Sequence, residues 1–245
     1  NEIIEARSKD ITDSINYAKR IQFAFQPSRN ALQKMIHEWF ILQRPRDIVS
    51  GDFFWFTEYK GRIIFAVADC TGHGVPGALM SMVGLNFLEQ AVKELENPEP
   101  KLILNALHKR VVNALNENIE KRSFMDGMDV ALLSYDPRTG EALFSGAVRP
   151  FVKIGKKGLE IFKGDRYSVG GVKDMETPYT QYELKLEKGD TLYLFSDGYA
   201  DQFGALTSKK YMIRKFYTLL EEMAVLPMVE QEAKLLNTFE KWKGE

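Results

Sequence analysis

The stretch from Arg62 to Met80, "RIIFAVADCTGHGVPGALM", decides the fold. It opens with a continuous apolar run, which is typical of a strand buried on both faces. The strand ends on Asp69, and a loop that contains two glycines and the chain's only cysteine follows. Pro76 then suits the first turn of a helix, whose apolar positions recur as far as Leu95. The stretch therefore predicts a buried strand that delivers a carboxylate into a loop ahead of a helix.

The patterns on either side of this stretch alternate between strand-like and helix-like periods. Strands are predicted at 37–45, 53–59, 128–136, 141–147, 150–155 and 159–164, and two more within 181–197. Helices are predicted at about 1–26, 76–95, 100–119, 208–222 and 227–243. Runs of strands separated by paired helices favour an α+β fold, with helices segregated to the outside of antiparallel sheets.

Composition narrows the class of protein. With 245 residues and 44% apolar content, the chain can form one large domain or two small ones. A net charge of −1 gives no basis for a nucleic-acid partner. A single cysteine suits a reducing compartment, and no apolar run approaches the ~20 residues that span a bilayer. We therefore expect a cytoplasmic protein, or the cytoplasmic part of a larger membrane-attached protein with a sensor domain upstream.

The first 26 residues are predicted to be a helical linker ahead of a domain that covers 27–245, with Pro27 as the boundary. Apolar side chains recur in it at seven-residue spacing, at Ile4, Ile11, Ala18 and Phe25. An isolated helix is marginally stable, so this stripe needs a partner. Two interpretations stay open: the helix packs on its own domain, or it forms a short parallel coiled coil that makes a homodimer or transmits a signal.

Three aspartates lie at the mouths of apolar strands, namely Asp52, Asp69 and Asp197. Burying such carboxylates unpaired is costly, and no basic residue is adjacent to Asp69 or Asp197 in the sequence. Any one of them also suits a turn or a cap. Asp69 and Asp197 both follow unbroken apolar strands and precede glycine-containing loops, which together favours a Mg²⁺ or Mn²⁺ site.

Such a site would need no side-chain nucleophile. Two divalent ions about 4 Å apart lower the pKa of a shared water, which can then attack a phosphoryl group. Cys70 lies in none of the contexts that activate a thiol, so its backbone carbonyl is the more useful ligand.

Five motifs occur in an order that resembles a known family: "SGDFFWF", "VADCTGHGVPGALMSM", "MDVALLSYD", "GDRYSVGG" and "LYLFSDGYADQFG". They are similar to the sporulation-stage-II-E and sigma-factor-regulator branch of the metal-dependent protein phosphatase (PPM, or 2C) superfamily. The resemblance covers about 27–243, and the segment before it resembles the linker helix of multidomain bacterial signalling phosphatases. It implies a four-layer α-β-β-α sandwich of two antiparallel sheets, preceded by that helix.

The resemblance also implies an activity and a site. The activity is hydrolysis of phosphoserine or phosphothreonine on a phosphoprotein, such as an anti-sigma-factor antagonist, with two Mn²⁺ or Mg²⁺ ions. Asp69 would bridge both ions, the Cys70 carbonyl would bind one and Asp197 the other. Asp52 would contact the site directly or through water. Asp69 and Asp197 are therefore the predicted catalytic residues, and the helix from Pro76 would couple a regulatory input to metal binding.

Departures from the family pattern keep an alternative open. The family usually ends in a strand with an Asp-Asp pair that supplies a further ligand, whereas this sequence stops at "FEKWKGE". A third metal is not expected, because "GAVRP" replaces the usual acidic motif. Arg149 and Arg46 could position a phosphate or be surface charges, and His73 could be a general acid or could order its loop. The alternative function is a catalytically inactive phosphatase fold that serves signalling or dimerisation.

Overall fold

The computed structural model describes residues 2–116, 126–172 and 177–244. Two antiparallel sheets pack face to face with helices on both outer sides, which is the expected four-layer α+β sandwich. The helices of the described residues are α1 Glu2–Phe25, α2 Arg29–Met35, α3 Gly74–Glu94, α4 Pro100–Asn116, α5 Gly198–Asp201, α6 Ile213–Met223 and α7 Met228–Lys243. The strands are β1 Phe53–Tyr59, β2 Arg62–Cys70, β3 Met128–Asp136, β4 Glu141–Ala147, β5 Phe151–Gly155, β6 Gly158–Phe162, β7 Tyr182–Lys185 and β8 Thr191–Leu194.

The predicted apolar strand is β2, and it lies inside the larger sheet, whose order is β1-β2-β3-β4-β7. A two-residue turn joins β1 to β2, and both of its residues, Lys60 and Gly61, have positive φ (52° and 76°). That conformation matches the twist of the strands it connects. On its other side β2 pairs with β3, in a register that sets Asp69 opposite Asp129.

The smaller sheet has the order β6-β5-β8. The two strands predicted within 181–197 do form, but they belong to different sheets: β7 pairs with β4 and β8 pairs with β5. The tight turn between them, closed by a bond from Asp190 N to Glu187 O of 3.0 Å, therefore carries the chain from one sheet to the other. This crossing places Asp197, just after β8, near the end of β2.

Side chains on successive residues of the strands enter different layers of the core. Leu132 packs with Leu88 and Leu104 between the larger sheet and helices α3 and α4. Its neighbour Leu133 faces the layer between the two sheets, where Phe144 of β4 and Phe151 of β5 lie with ring centroids 5.3 Å apart. A third layer buries the outer face of the smaller sheet under α6 and α7. The site is thus built on strands that are packed on both faces.

Two predicted elements differ from the structure. The prediction of a strand at 37–45 is wrong, since 36–50 are described and contain no strand. Phe40 and Leu42 in that segment pack beside α6 and α7, so its apolar spacing reflects side-chain burial without strand pairing. Helix α6 begins at Ile213 instead of 208, because the preceding loop contains two residues with positive φ, Ser208 and Met212. The end predicted for α4, at 117–119, lies outside the described residues.

Helix α1 is anchored at its carboxyl end. Gln22 is buried, and its Nε2 donates to Ser50 O (2.5 Å) and to Ser81 Oγ (2.8 Å). Ile4 and Ile11, by contrast, are 72% and 62% exposed. Phe25, the last residue of the apolar stripe, is 54% exposed. Packing on the chain's own domain therefore buries Gln22 and leaves most of the stripe uncovered. Within the described residues no helix is long and apolar enough to cross a membrane.

Candidate active site

Aspartates from neighbouring elements meet at one end of the sandwich. Asp69 in β2 and Asp129 in β3 are directly opposite each other across the strand pair. Asp197 follows β8 and lies at the amino terminus of α5. Like charges that face each other across a strand pair are destabilising, so this arrangement requires a positive charge.

The guanidinium of Arg149 supplies that charge. Its Nη2 lies 3.0 Å from Asp69 Oδ2, 2.9 Å from Asp129 Oδ2 and 2.7 Å from Asp197 Oδ2. The Arg149 side chain is only 13% exposed, so the interpretation of Arg149 as a surface charge is wrong. No basic residue adjoins Asp69 or Asp197 in the sequence, but Arg149 is distant from them in sequence and adjacent in space.

A strained turn aims Arg149 into the cluster. Val148 has φ 65°, a conformation that β-branched residues rarely adopt, and Arg149 N donates to Ala147 O across it at 2.7 Å. Two backbone bonds hold the turn: Val148 N donates to Asp165 O and Asp165 N donates to Gly146 O, both at 2.8 Å. Strain of this kind persists only where the surroundings fix the backbone, and it concentrates at functional sites.

The cluster holds more negative charge than Arg149 balances. Asp52 lies beside Asp69, and its Oδ2 accepts a hydrogen bond of 2.6 Å from Ser196 Oγ. Burial, followed by the charges of Asp52 and Asp197, raises the pKa of Asp69 to about 8, although Arg149 acts in the opposite direction. A further cation at this point would relieve that repulsion.

The loop after Asp69 packs closely on α3 because glycines line the contact. A Cβ on Gly77 would lie 2.6 Å from Gly72 O, and a Cβ on Gly51 would lie 3.3 Å from Cys70 O. The Cys70 side chain is buried in the core, and burial raises the pKa of its thiol well above the usual range. Thiolate chemistry is therefore disfavoured at Cys70, while its carbonyl lies in the glycine-lined loop.

Sequence reasoning missed Asp129 and its partner Ser168. Ser168 Oγ donates to Asp129 Oδ1 at 2.6 Å, and the adjacent Val169 and Met128 exchange backbone bonds of 2.8 and 2.9 Å. These contacts bring the "GDRYSVGG" motif to the cluster. The signal was available: pairing the apolar strands β2 and β3 in antiparallel register sets Asp129 beside Asp69.

Two other predicted residues lie at the rim. His73 Nδ1 is 3.2 Å from Asp47 Oδ2, and its side chain is 75% exposed. Arg46 is exposed as well. The described contacts place neither side chain against the aspartates, so the roles considered for them stay predictions.

Residues 59–245 match the family described as Stage II sporulation protein E (SpoIIE). The chain belongs to this family. Over 98% of its length and 93% of the other chain, it is 32% identical to the SiaA-PP2C domain of Pseudomonas aeruginosa, with a TM-score of 0.86.

Two further similarities place this SpoIIE-family chain. It is 29% identical to phosphoserine phosphatase RsbU of Bacillus subtilis over 162 residues, which is 63% of this chain and 44% of RsbU. It therefore spans less than half the length of that relative. A structure of RsbX in complex with magnesium is 18% identical, covers 80% of this chain and 83% of that one, and has a TM-score of 0.53. At that identity the likeness shows the fold alone.

The donor chemistry of the cluster fits a hard divalent cation. Carboxylate and carbonyl oxygens are the ligands that Mg²⁺ and Mn²⁺ prefer, and burial together with the neighbouring charges of Asp52 and Asp197 raises the pKa of Asp69. The present positions of these side chains, however, do not form a metal site. Among residues 2–116, 126–172 and 177–244, no three His, Cys, Asp or Glu side chains form a ready-made site for one ion. Arg149 Nη2 occupies the point on which the carboxylates converge.

Proposed function

We propose that this domain is a metal-dependent protein serine/threonine phosphatase of bacterial signalling. The observation that carries the proposal is the convergence of Asp69, Asp129 and Asp197 on one point, with Asp52 alongside, in a SpoIIE-family fold. The similarity to RsbU, a phosphoserine phosphatase, supports the reaction class. The carboxylate and carbonyl donors of the cluster support the choice of Mn²⁺ or Mg²⁺ as the cation.

The residues that would hold two Mn²⁺ or Mg²⁺ ions are Asp69, Asp197, Asp52 and the Cys70 carbonyl. When bound, such ions supply a water of lowered pKa and stabilise charge on the phosphoryl oxygens. Asp69 and Asp197 would orient the ions. Ser196 Oγ donates to Asp52 Oδ2 at 2.6 Å and so restricts the orientation of the Asp52 carboxylate. The buried Cys70 thiol takes no part.

The proposed substrate is a phosphoserine or phosphothreonine protein in the cytoplasm, of the anti-sigma-factor antagonist class. The guanidinium of Arg149 lies among the catalytic carboxylates, where a substrate phosphate would have to approach. A guanidinium binds phosphate oxygens in bidentate fashion. We therefore propose that Arg149 positions the substrate phosphate after it has given up some of its contacts with the carboxylates.

The direct test is hydrolysis of p-nitrophenyl phosphate and of a phosphoserine peptide, with Mn²⁺ or Mg²⁺ and with excess chelator. We expect turnover with either ion and none with the chelator. Turnover that persists in chelator would contradict the mechanism. Ca²⁺ is a useful comparison, because it shares the oxygen ligands but favours longer distances and higher coordination numbers.

One observation favours the alternative of a catalytically inactive signalling module. Arg149 already neutralises part of the acidic cluster, as a permanent structural ion pair would. In that case the protein would bind neither Mn²⁺ nor Mg²⁺, chelator would not change its stability, and neither ion would produce turnover. The same hydrolysis assay, joined to a metal titration, discriminates between the two functions.

We also propose that α1 forms a homodimer through its exposed apolar stripe. Replacing Ile4 and Ile11 with glutamine removes two of the apolar side chains that would pack between the helices of a parallel coiled coil. The dimer dissociation constant should rise by about tenfold or more, which corresponds to about 1.4 kcal/mol. Sedimentation velocity over a concentration series measures it.

Ile3 provides a matched control for the dimer. It is 73% exposed, as Ile4 is, but lies outside the seven-residue spacing. Ile3→Gln should leave the dissociation constant within about twofold of wild type. A monomeric wild type, or equal weakening by Ile3→Gln and Ile4→Gln, would contradict the proposed stripe.

A further inference from the structure

Arg149 uses a single nitrogen atom for three carboxylates. Nη2 is the atom within 3.0 Å of Asp69, Asp129 and Asp197. The Nε of the same guanidinium is buried and has no hydrogen-bond partner among the described residues. An arginine that serves only as a structural ion pair would gain by sharing its donors, because bidentate pairing is the stronger arrangement. Here the charge is concentrated at one point between the carboxylates.

We propose that the Arg149 guanidinium is a built-in competitor for the divalent cation, so that metal binding requires it to leave Asp69 and Asp197. This proposal rests on the proposed metal-dependent function and deepens it by naming what regulates occupancy of the site. The two cations need the same oxygens. Asp69 Oδ2 and Asp197 Oδ2 each accept a hydrogen bond from Nη2. A lone pair used in that bond cannot coordinate a metal at the same time.

The backbone at Arg149 is held in place, so only the side chain can move when a metal ion replaces the guanidinium. Bonds on both sides of Val148 fix the turn, as described above. The Arg149 carbonyl is also enclosed, because a Cβ on Gly146 would lie 2.3 Å from Arg149 O and one on Gly164 would lie 2.7 Å from it. Rotation of the side chain is then the path by which Nη2 leaves Asp69 and Asp197.

Asp129 is the partner that remains for the displaced guanidinium. It lies 2.9 Å from Nη2, and Ser168 Oγ holds its second oxygen at 2.6 Å. Asp129 is not among the residues assigned to the metal. A guanidinium retained by Asp129 would stay next to the site, where the proposed function needs it for phosphate. Asp129 therefore makes the competition reversible, since Arg149 stays close enough to return when the metal leaves.

Isothermal titration of the metal-free 245-residue chain with Mn²⁺ tests the competition without an activity readout. Arg149→Met keeps an unbranched apolar stem and removes the charged guanidinium. We expect it to bind Mn²⁺ about tenfold or more tightly than wild type. Arg149→Lys should fall between the two, because lysine keeps the charge on a shorter side chain that lacks the planar guanidinium. Arg138→Met is the matched control: Arg138 pairs with Asp136 at the other end of β3, and its loss should leave Mn²⁺ affinity unchanged.

Each outcome decides the proposal. Equal Mn²⁺ affinity in wild type and Arg149→Met, or weaker binding in the variant, would overturn the competition and leave the metal site standing. Failure of wild type, Arg149→Met and Arg149→Lys alike to bind Mn²⁺ would overturn the metal site and the competition together. If Arg149→Met does not fold, NMR of wild type provides the second test. The Arg149 Nε–Hε resonance, assigned with Arg149→Lys, should shift on addition of Mg²⁺, and an unshifted resonance in protein shown to bind Mg²⁺ overturns the proposal.

Discussion

Asp69→Asn should lower the metal-dependent turnover of p-nitrophenyl phosphate by about 1,000-fold or more. Asp69 lies at the centre of the acidic cluster, at the end of β2, opposite Asp129 and 3.0 Å from the guanidinium of Arg149. An amide keeps the shape of the side chain but removes the charge that a bridging ligand must supply. The measurement is steady-state turnover at saturating Mn²⁺, with Mn²⁺ binding followed in parallel.

The loss should not come from unfolding. Because the pKa of Asp69 in the folded state is about 8, well above its unfolded value, the folded protein binds the extra proton. The stability contributed by this group is thus present at low pH and is lost as the pH rises towards 8. In chelator, Asp69→Asn should therefore unfold at higher urea concentration than wild type at pH 8, and the difference should shrink towards pH 5.

Asp136→Asn gives the comparison for that experiment. It makes the same change of charge on β3, at the opposite end of the sheet, where Asp136 pairs with Arg138. Turnover per folded molecule should match wild type. Wild-type turnover in Asp69→Asn, or an equal loss in Asp136→Asn, would refute the role assigned to Asp69.

The sequence predicted most of the helices and strands because buried apolar residues recur at the period of the element that carries them. The apolar run before Asp69 became β2, and the strand predicted at 128–136 became β3 with the same bounds. The pairing of strands that are distant in sequence produces no such local pattern. Nothing local in 181–197 indicates that β7 and β8 join different sheets. The alternation in 37–45 looked like a strand because side chains packed beside α6 and α7 have similar spacing.

Some residues of the candidate site could be identified from local sequence and others could not. Asp69 and Asp197 were identifiable because each follows an apolar strand, so their position at a strand mouth could be deduced from local sequence. Arg149 could not be placed, because its position depends on the turn at Val148 and on contacts with Asp165 far along the chain. Asp129 depends on strand register, which sequence fixes only when both strands and their pairing are known.

The glycine at position 146 should matter to both the stability of the fold and the geometry of the site. A Cβ there would meet Arg149 O at 2.3 Å, Gly164 Cα at 2.9 Å and the Phe144 ring at 3.0 Å. Two of these neighbours are backbone, which cannot rotate out of the way. In Gly146→Ala, β4 and the turn at Val148 must therefore separate, at a cost of about 3 kcal/mol in the free energy of unfolding. Urea denaturation in chelator measures that cost.

The same displacement should reduce turnover by about 100-fold, because a shift of about 1 Å in a positioned group has effects of that size. Gly171→Ala is the control, since a Cβ at Gly171 would lie 3.4 Å from Ser168 O, an ordinary contact, in the neighbouring "GDRYSVGG" motif. It should change stability by less than about 1 kcal/mol and leave turnover unchanged. Wild-type stability and turnover in Gly146→Ala would mean that β4 relaxes freely, and that the enclosure of the Arg149 backbone does not position its guanidinium.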